Sequence, residues 1–99
     1  MVIAEIIEKL KTSTHPVARI FHKGHDSRVL IIGFNKGMTL SEHKAHLPSK
    51  LLVISGSVNY IQGKSITKLG QYQETEIPID IIHEVYANED SICILTQAK

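Results

Sequence analysis

The sequence predicts an all-β domain, an antiparallel sandwich or barrel, preceded by one short N-terminal helix. Three observations carry this prediction. The chain has 99 residues, of which 42% are hydrophobic and 21% charged, a composition typical of a single globular domain. Helical periodicity occurs only in residues 2–11. From residue 17 onward, short apolar or alternating segments are separated by turn residues at regular spacing, which is typical of antiparallel sandwiches and barrels.

The predicted helix covers residues 2–11. Lysines follow the acidic residues along it, as the helix dipole favours, and Pro16 ends it by disfavouring helical conformation at His15. We expect its apolar side chains to pack on the outside of the β domain, because its polar face is not basic enough for a membrane-surface helix. We therefore divide the chain into a helix and linker, 1–14, and a barrel domain, 15–99. The apolar side chains at helical spacing are Val2, Ile3, Ile6, Ile7 and Leu10.

Nine β segments are predicted after Pro16, each short enough to cross a sheet once. Gly, Pro, Asn and Ser residues separate them and supply the turn signals. The sequence contains no internal repeat and no low-complexity tract. The predicted segments are 17–22, 27–34, 38–44, 50–55, 57–62, 64–69, 72–77, 81–87 and 91–97.

Charge and cysteine content narrow the classes of function. The formal net charge is +1, with 11 Lys and Arg against 10 Asp and Glu, so we expect neither nucleic acid nor a membrane as a partner. The single cysteine, Cys93, excludes an internal disulfide and lies in an apolar segment, where we expect a buried thiol. The sequence has no apolar stretch of about 18 residues and no secretory signal pattern, so we expect a cytoplasmic protein.

Two motifs in the β region carry a resemblance to a known family. Residues 37–43, GMTLSEH, followed by LLVISG at 51–56, resemble the first cupin motif, G-x5-H-x-H-x3,4-E-x6-G. Gly70, followed by PIDIIH at 78–83, resembles the second, G-x5-P-x-G-x2-H-x3-N. The resemblance covers about residues 17–97. It implies a small single-domain, RmlC-like cupin: a double-stranded β-helix, or jelly-roll-like barrel, with the short helix outside it.

The same resemblance implies where a metal would bind. Metal-bearing cupins use three His and one Glu, and the first and last His correspond to His43 and His83. The second His position is Ala45, and the Glu position is Ser49, or Lys50 with the longer spacing. Half of the usual ligand set is therefore absent, and any metal binding is expected to be weak.

His46 is the candidate replacement for the missing histidine. Side chains alternate faces along a strand, so His43 and Ala45 share one face and His46 takes the other. His46 turns inward only if the strand breaks at Ala45, which the nearby Pro48 allows. A site made of His43, His46 and His83 suits a divalent transition metal (zinc, nickel, iron, manganese or copper). The absence of any cofactor is the open alternative.

The competing interpretation is a metal-free pocket inside the barrel. Strand parity puts a mostly apolar set of side chains on the same face as the two histidines, which suits a small organic ligand. The predicted pocket residues are His43, Ala45, Ser49, Leu51, Val53, His83, Val85 and Ala87. The alternative interpretation is that the same side chains fill the barrel interior as a hydrophobic core and leave no pocket.

Three functions stay open at this point. The leading hypothesis is a stand-alone small cupin that binds a small ligand in its barrel, with no reaction demonstrated. The second is a metal-dependent cupin enzyme of the oxygenase or isomerase type with an atypical histidine site. The third is a structural dimer module with a filled barrel. We expect a homodimer, because apolar residues occur on both faces of the predicted strands and a barrel interior absorbs only one face.

Overall fold

The computed structural model describes residues 1–99, apart from the side chain of Glu42, and contains one helix and nine strands. The predicted all-β fold with a short N-terminal helix is confirmed. Each strand begins and ends within two residues of its predicted bounds. The elements are α1 (Val2–Leu10), β1 (Val17–Lys23), β2 (Ser27–Phe34), β3 (Thr39–His43), β4 (Ser49–Ser55), β5 (Val58–Gln62), β6 (Ser65–Leu69), β7 (Glu74–Ile77), β8 (His83–Ala87) and β9 (Ser91–Ala98).

The strands form two antiparallel sheets packed around a common interior. The larger sheet has the order β1-β2-β9-β4-β7, and the smaller has the order β3-β8-β5-β6. Strand β2 pairs with β9 along its whole length although the two lie far apart in the sequence. Buried side chains of both sheets belong to one hydrophobic cluster, as expected for two sheets packed face to face. Residues from distant parts of the chain therefore line the same interior.

The inner face of the larger sheet is arranged in rows that cross β2, β9 and β4. Directly opposed residues of neighbouring strands lie on the same face. Three successive rows consist of Arg28, Gln97 and Ser49, then Leu30, Leu95 and Leu51, then Ile32, Cys93 and Val53. The rows thus change from polar to apolar along the barrel. We refer to the polar end as the open end and to the apolar end as the closed end.

The closed end is a filled hydrophobic core. Its side chains come from both sheets, and each is 3% exposed or less. They include Ile32, Phe34, Val53, Val58, Val85, Ala87 and Cys93. Burial of a large apolar side chain contributes roughly 1.5–3 kcal/mol before the entropy of ordering is subtracted, so this end supplies much of the stability.

Helix α1 covers the outer face of the larger sheet near the closed end. Ile6 and Leu10 are buried against Gly33 of β2, where a Cβ atom would overlap Ile6 and lie 2.9 Å from Leu10 Cδ1. Glycine therefore permits the close approach of helix and strand. The expectation that Ile3 and Ile7 are buried too is wrong: they are 39% and 51% exposed, because the helix presents only one side to the sheet. Among the described residues, no helix is long and apolar enough to cross a membrane.

Candidate functional site

A cavity of about 310 Å³ lies between the sheets at the open end of the barrel. His43 and His83 of the smaller sheet lie on one side of it, and Arg28, Gln97 and Ser49 of the larger sheet lie on the other. Its volume is at the lower end of the range for small-molecule sites, about 300–1,000 Å³. The rest of the lining consists of apolar side chains and the side chains of Lys44 and His46. Five of the lining residues are exposed: Ala18, Arg28, His43, Lys44 and His46. The apolar lining residues are Ala18, Leu30, Ile32, Leu40, Ala45, Leu47, Ile77 and Leu95.

A bulge in β3 brings the two histidines together. His43 is paired with His83 and Leu40 with Val85, so two β3 residues oppose a single β8 residue between these pairs. The extra residue interrupts the alternation of faces, and Leu40 and His43 both point inward although strict parity would separate them. The imidazole ring centroids of His43 and His83 are 4.1 Å apart, with the ring planes inclined by 60°.

Backbone carbonyls hold both imidazoles. Nδ1 of His43 lies 2.8 Å from the carbonyl oxygen of Ser41, and Nδ1 of His83 lies 3.1 Å from that of Ile81. A carbonyl oxygen can only accept a hydrogen bond, so Nδ1 carries the proton in each neutral ring and donates it. Each Nε2 then keeps its lone pair, which can accept a hydrogen bond from a ligand or bind a metal.

Burial lowers the pKa of His83. Its side chain is only 2% exposed, and loss of hydration penalises the imidazolium form. The hydrogen bond to the Ile81 carbonyl opposes this shift, and the charge of His43 adds to it. His83 is therefore a neutral imidazole at pH 7, suited to accept a hydrogen bond or a proton.

Two other ionisable groups of the interior stay protonated at neutral pH. The ring centroid of Tyr60 lies 5.6 Å from that of His83, and its hydroxyl donates to Gln62 Oε1 at 3.0 Å. Burial raises the pKa of Tyr60 and raises the pKa of Cys93 to about 12. The expected buried thiol at Cys93 is confirmed. Cys93 does not line the cavity, so it supplies no thiolate nucleophile there.

The wall opposite the histidines contains residues that the sequence analysis missed. Arg28 and Gln97 face each other across β2 and β9, and Gln97 faces Ser49 across β9 and β4. The alternating pattern of β2 could have put Arg28 on the same face as Leu30. The pairing of β2 with β9 was the missing information, because nothing in the sequence fixes which distant strands are neighbours.

The predicted pocket residues divide between the cavity and the core. Those that line the cavity are His43, Ala45, Ser49 and His83. Those that lie in the filled core, each at most 2% exposed, are Leu51, Val53, Val85 and Ala87. The expectation that the second group lines the pocket is thus corrected. Parity identifies the inner face, but it does not say how far down the barrel the interior is already filled.

The three candidate metal ligands are not gathered at one point. The side chain of His46 is 84% exposed, and its Nδ1 lies 3.5 Å from Asp80 Oδ1. Ala45 lines the cavity as the resemblance implies, but it carries no ligand atom. In the part of the chain that the structure describes, no group of three or more His, Cys, Asp and Glu side chains could hold a metal ion. Of these three histidines, only His43 and His83 bring their rings against each other, and two ligands are fewer than the three protein ligands of a catalytic zinc site.

Comparison with known proteins supports the fold but no finer identity. No protein-family model matches the chain, and no curated protein matches it. The RmlC-like cupin from Desulfovibrio desulfuricans is 20% identical with a TM-score of 0.78, and the match covers 85% of this chain and 82% of that one. A protein with a double-stranded β-helix domain from Klebsiella pneumoniae is 21% identical with a TM-score of 0.80, over 94% of this chain and 85% of that one.

KdgF from a Halomonas species also shares the architecture. It is 18% identical with a TM-score of 0.76, and the match covers 89% of this chain and 84% of that one. Chains that differ this much in sequence and still superpose over most of their length share a fold, although function resides in the individual site. The resemblance carried by the two motifs is confirmed at that level, and the chain is a small protein of the cupin fold.

Proposed function

We propose that the protein binds a small organic ligand in the cavity at the open end of the barrel. The observation that carries this proposal is a space of about 310 Å³ with apolar walls and two imidazoles held in one orientation at its side. Pockets of this kind combine apolar contact area with a few fixed polar groups that orient the ligand. His43 and His83 supply such groups through the Nε2 lone pairs.

The chemistry of this pair favours ligands that donate a hydrogen bond. The Nδ1 protons are already engaged with backbone carbonyls, so each neutral ring offers an acceptor and no further donor. A hydroxyl or an N–H group of the ligand therefore fits against Nε2 of His83. The neutral state of His83 at pH 7 keeps this acceptor available.

A screen of small fragments followed by NMR tests the proposal. Fragments with a hydroxyl or an N–H group should shift the imidazole signals of His83 and the amides of Leu30 and Leu95, which line the cavity. His83→Leu replaces the imidazole with an apolar side chain of similar size and should abolish the shifts of the Leu30 and Leu95 amides. His22→Leu, on the exposed strand β1, should leave these amide shifts unchanged. If no fragment shifts the cavity signals, or if His83→Leu leaves the shifts intact, the proposal is wrong.

A metal-dependent enzyme is the second candidate. The observation that favours it is the pair of Nδ1 hydrogen bonds to carbonyls, which is the arrangement that orients metal-binding histidines. Of the three histidines at the cavity, His43 and His83 would hold the metal, because the third, His46, is 84% exposed and lies against Asp80. Metal analysis of protein purified without a histidine tag tests this candidate. A stoichiometric transition metal would support it, and metal-free protein that gains none on incubation with zinc or nickel would eliminate it.

A structural dimer module is the third candidate, and we propose a homodimer whichever function holds. Leu52 and Ile94 are paired on the outer face of the larger sheet and are only half-buried there. Ile92 lies on the same face and lines a groove together with the exposed Ile7 of α1. This apolar surface supports association of two copies, since twofold pairing is the commonest form of oligomer. The cavity counts against a barrel that is filled throughout.

Sedimentation at micromolar concentration tests the homodimer. We expect a species of twice the chain mass of 11.0 kDa, and Leu52→Glu should convert it to monomer. Ile66→Glu is the matched control, because Ile66 is equally apolar and 64% exposed but lies on β6 of the other sheet. A single species of 11.0 kDa for the natural chain would show that the proposal is wrong.

We also propose that the protein resides in the cytoplasm. The support is compositional: a near-neutral charge balance and a single cysteine that is buried and unpaired. Fractionation of the native host with an antibody against the chain tests this, and recovery from an extracytoplasmic fraction would overturn it.

A further inference from the structure

A relay of hydrogen bonds fixes one wall of the cavity. Arg28 Nε donates to Gln97 Oε1 at 2.6 Å, Gln97 Nε2 donates to Ser49 Oγ at 3.1 Å, and the Ser49 hydroxyl donates to the Leu47 carbonyl at 2.8 Å. Gln97 and Ser49 are 8% and 3% exposed, so their part of the relay is shielded from water, whereas Arg28 is exposed. The three bonds all point the same way, from the Arg28 guanidinium through Gln97 and Ser49 to the Leu47 carbonyl. The guanidinium is thereby held through Nε, which leaves the Nη1 and Nη2 groups for another acceptor.

The described charged side chains that line the cavity are all positive. Arg28 and Lys44 line it, and no Asp or Glu is among the described residues that do. Within the described residues, Arg28 forms no ion pair. Lys50 shows the contrast: it follows Ser49 directly but faces outward, where Glu74 and Glu76 lie 3.0 Å and 3.4 Å from its Nζ. Among the described residues, Lys50 on the outer face of β4 is therefore paired with two carboxylates, whereas Arg28 at the cavity is paired with none.

We infer that the ligand is a small organic carboxylate and that Arg28 binds its carboxylate group. This inference rests on the proposed function and names the class of ligand. Arginine binds a carboxylate through two parallel N–H···O bonds, and such charge-assisted bonds are about twice as strong as neutral ones. Leu30 and Leu95 lie one row deeper than Arg28 and offer an apolar surface to the body of the acid. A hydroxyl or N–H group at its far end meets the imidazole of His83.

The relay explains why the arginine suits recognition. A long flexible side chain loses rotamer entropy when it binds, and a side chain already held by a neighbour loses less. Gln97 holds the guanidinium before the ligand arrives, and Ser49 fixes which way the Gln97 amide points. Gln97 and Ser49 are thus positioning residues, while Arg28 touches the ligand.

Matched pairs of small carboxylic acids and their primary amides provide the test. Each pair has almost the same shape, so a difference in affinity reports the charge. We expect the acids to bind about tenfold more tightly than the amides or better, measured as NMR shifts of the Leu30 and Leu95 amides. Arg28→Met should remove the preference for acids over amides. Arg19→Met, on β1, removes the same charge and should keep the preference.

Arg28→Lys refines the result, because it keeps the positive charge without the planar fork. It should retain only part of the preference for acids. If amides bind the natural chain as tightly as acids, or if Arg28→Met keeps the preference, the carboxylate inference is wrong although the proposed function holds. If neither acids nor amides bind while other fragments do, the inference also fails alone. Failure of every fragment overturns both.

Discussion

The two ends of the barrel are built on the same strands but do different things. At the closed end the inner residues are apolar, nearly fully buried and packed against each other, and α1 covers the sheet from outside. At the open end the inner residues of the same strands are Arg28, Gln97, Ser49 and His83, and they surround a cavity. Along β2, β9 and β4, the inward-facing side chains thus change from core residues to cavity-lining residues within two or three rows.

The difference shows how a small chain combines stability with a binding site. Ninety-nine residues bury only a modest core, so most inner positions have to be filled. The polar inner residues are satisfied by each other and by backbone carbonyls, and no described buried side-chain N or O atom lacks a hydrogen-bond partner. The structure of the open end therefore depends on specific hydrogen bonds, whereas that of the closed end depends on apolar side chains that fill the space between the sheets. Substitutions at the two ends should reveal this division.

The largest effect should come from breaking the closed end where the helix covers it. Ile6 is fully buried, and Ile6→Asp both removes its apolar contacts and introduces a charge there. Loss of a buried isoleucine costs about 2–5 kcal/mol, and the charge adds to this, so chemical denaturation should show a stability loss at least that large.

Ile7→Asp is the matched control for the helix. The adjacent side chain is 51% exposed, so its replacement should change the free energy of unfolding by about 0.5 kcal/mol or less in the monomer. Equal effects of the two substitutions would mean that the helix does not pack on β2 through Ile6.

Restoring the missing ligands should turn the open end into a metal site. Ala45 and Ser49 both line the cavity with the two histidines, so Ala45→His with Ser49→Glu returns an imidazole and a carboxylate to the inner wall. The natural chain should bind zinc or nickel weakly at most. With metal at about 100 times the dissociation constant, the double variant should gain about 2.7 kcal/mol of stability. Binding should weaken as the pH falls through the histidine range, because imidazolium cannot ligate.

Titration calorimetry on both proteins measures this difference. Ala45→His with Lys50→Glu is the control, because Lys50 faces outward and a carboxylate there cannot reach the cavity. A folded Ala45→His, Ser49→Glu variant that binds no better than the natural chain would contradict the register of the first motif. Tight binding by the natural chain that is lost with His46→Ala would mean that the exposed His46 turns inward with the metal.

Two buried alanines test directly whether one end is filled and the other is not. Ala87 of β8 is fully buried in the closed end, and Ala45 is 6% exposed beside the cavity. Ala87→Leu overfills a packed core and should cost about 1–3 kcal/mol. Ala45→Leu extends into free space, so it should cost less than about 1 kcal/mol and should block ligand binding. The ratio of the two unfolding free-energy changes is the measurement, and a larger cost for Ala45→Leu would contradict the division.

The sequence was sufficient to predict the strands of both ends. Turn residues and alternating segments defined all nine strands within two residues, because these signals are local. The histidine pair could be predicted for the same reason, since both residues lie in recognisable motifs. Two local signals were misread: Ile3 and Ile7 share the helical spacing of Ile6, but a helix on a flat sheet buries only one stripe.

The content of the open end was harder to predict because it depends on contacts between distant segments. Arg28, Gln97 and Ser49 become neighbours only when β9 lies between β2 and β4, and no local pattern specifies that order. The bulge in β3 reverses the parity between Leu40 and His43, so strict alternation puts Leu40 on the wrong face, away from the cavity that it lines with His43. The depth of the cavity depends on side chains from both sheets and could not be read from one strand.

The smallest expected effect is a dependence of stability on pH that originates at His83. Burial lowers its pKa in the folded chain below the ordinary value of 6.5, which the unfolded chain retains. Between these two values the unfolded chain binds more protons than the folded chain, so acid favours unfolding. The stabilisation is fully present above pH 6.5 and is lost as the pH falls through the folded pKa.

The variant His83→Leu isolates this effect from the other five histidines. The free energy of unfolding of the natural chain should fall as the pH falls from 7 toward 5. For the variant it should fall less steeply over the same interval, because the variant lacks the buried imidazole whose protonation destabilises the fold. The difference in slope between the two proteins, measured by urea denaturation at each pH, is the quantity to follow. Slopes that coincide would mean that water reaches His83 through the open end and keeps its imidazolium hydrated, and the cavity would then be wetter and shallower than its apolar lining indicates.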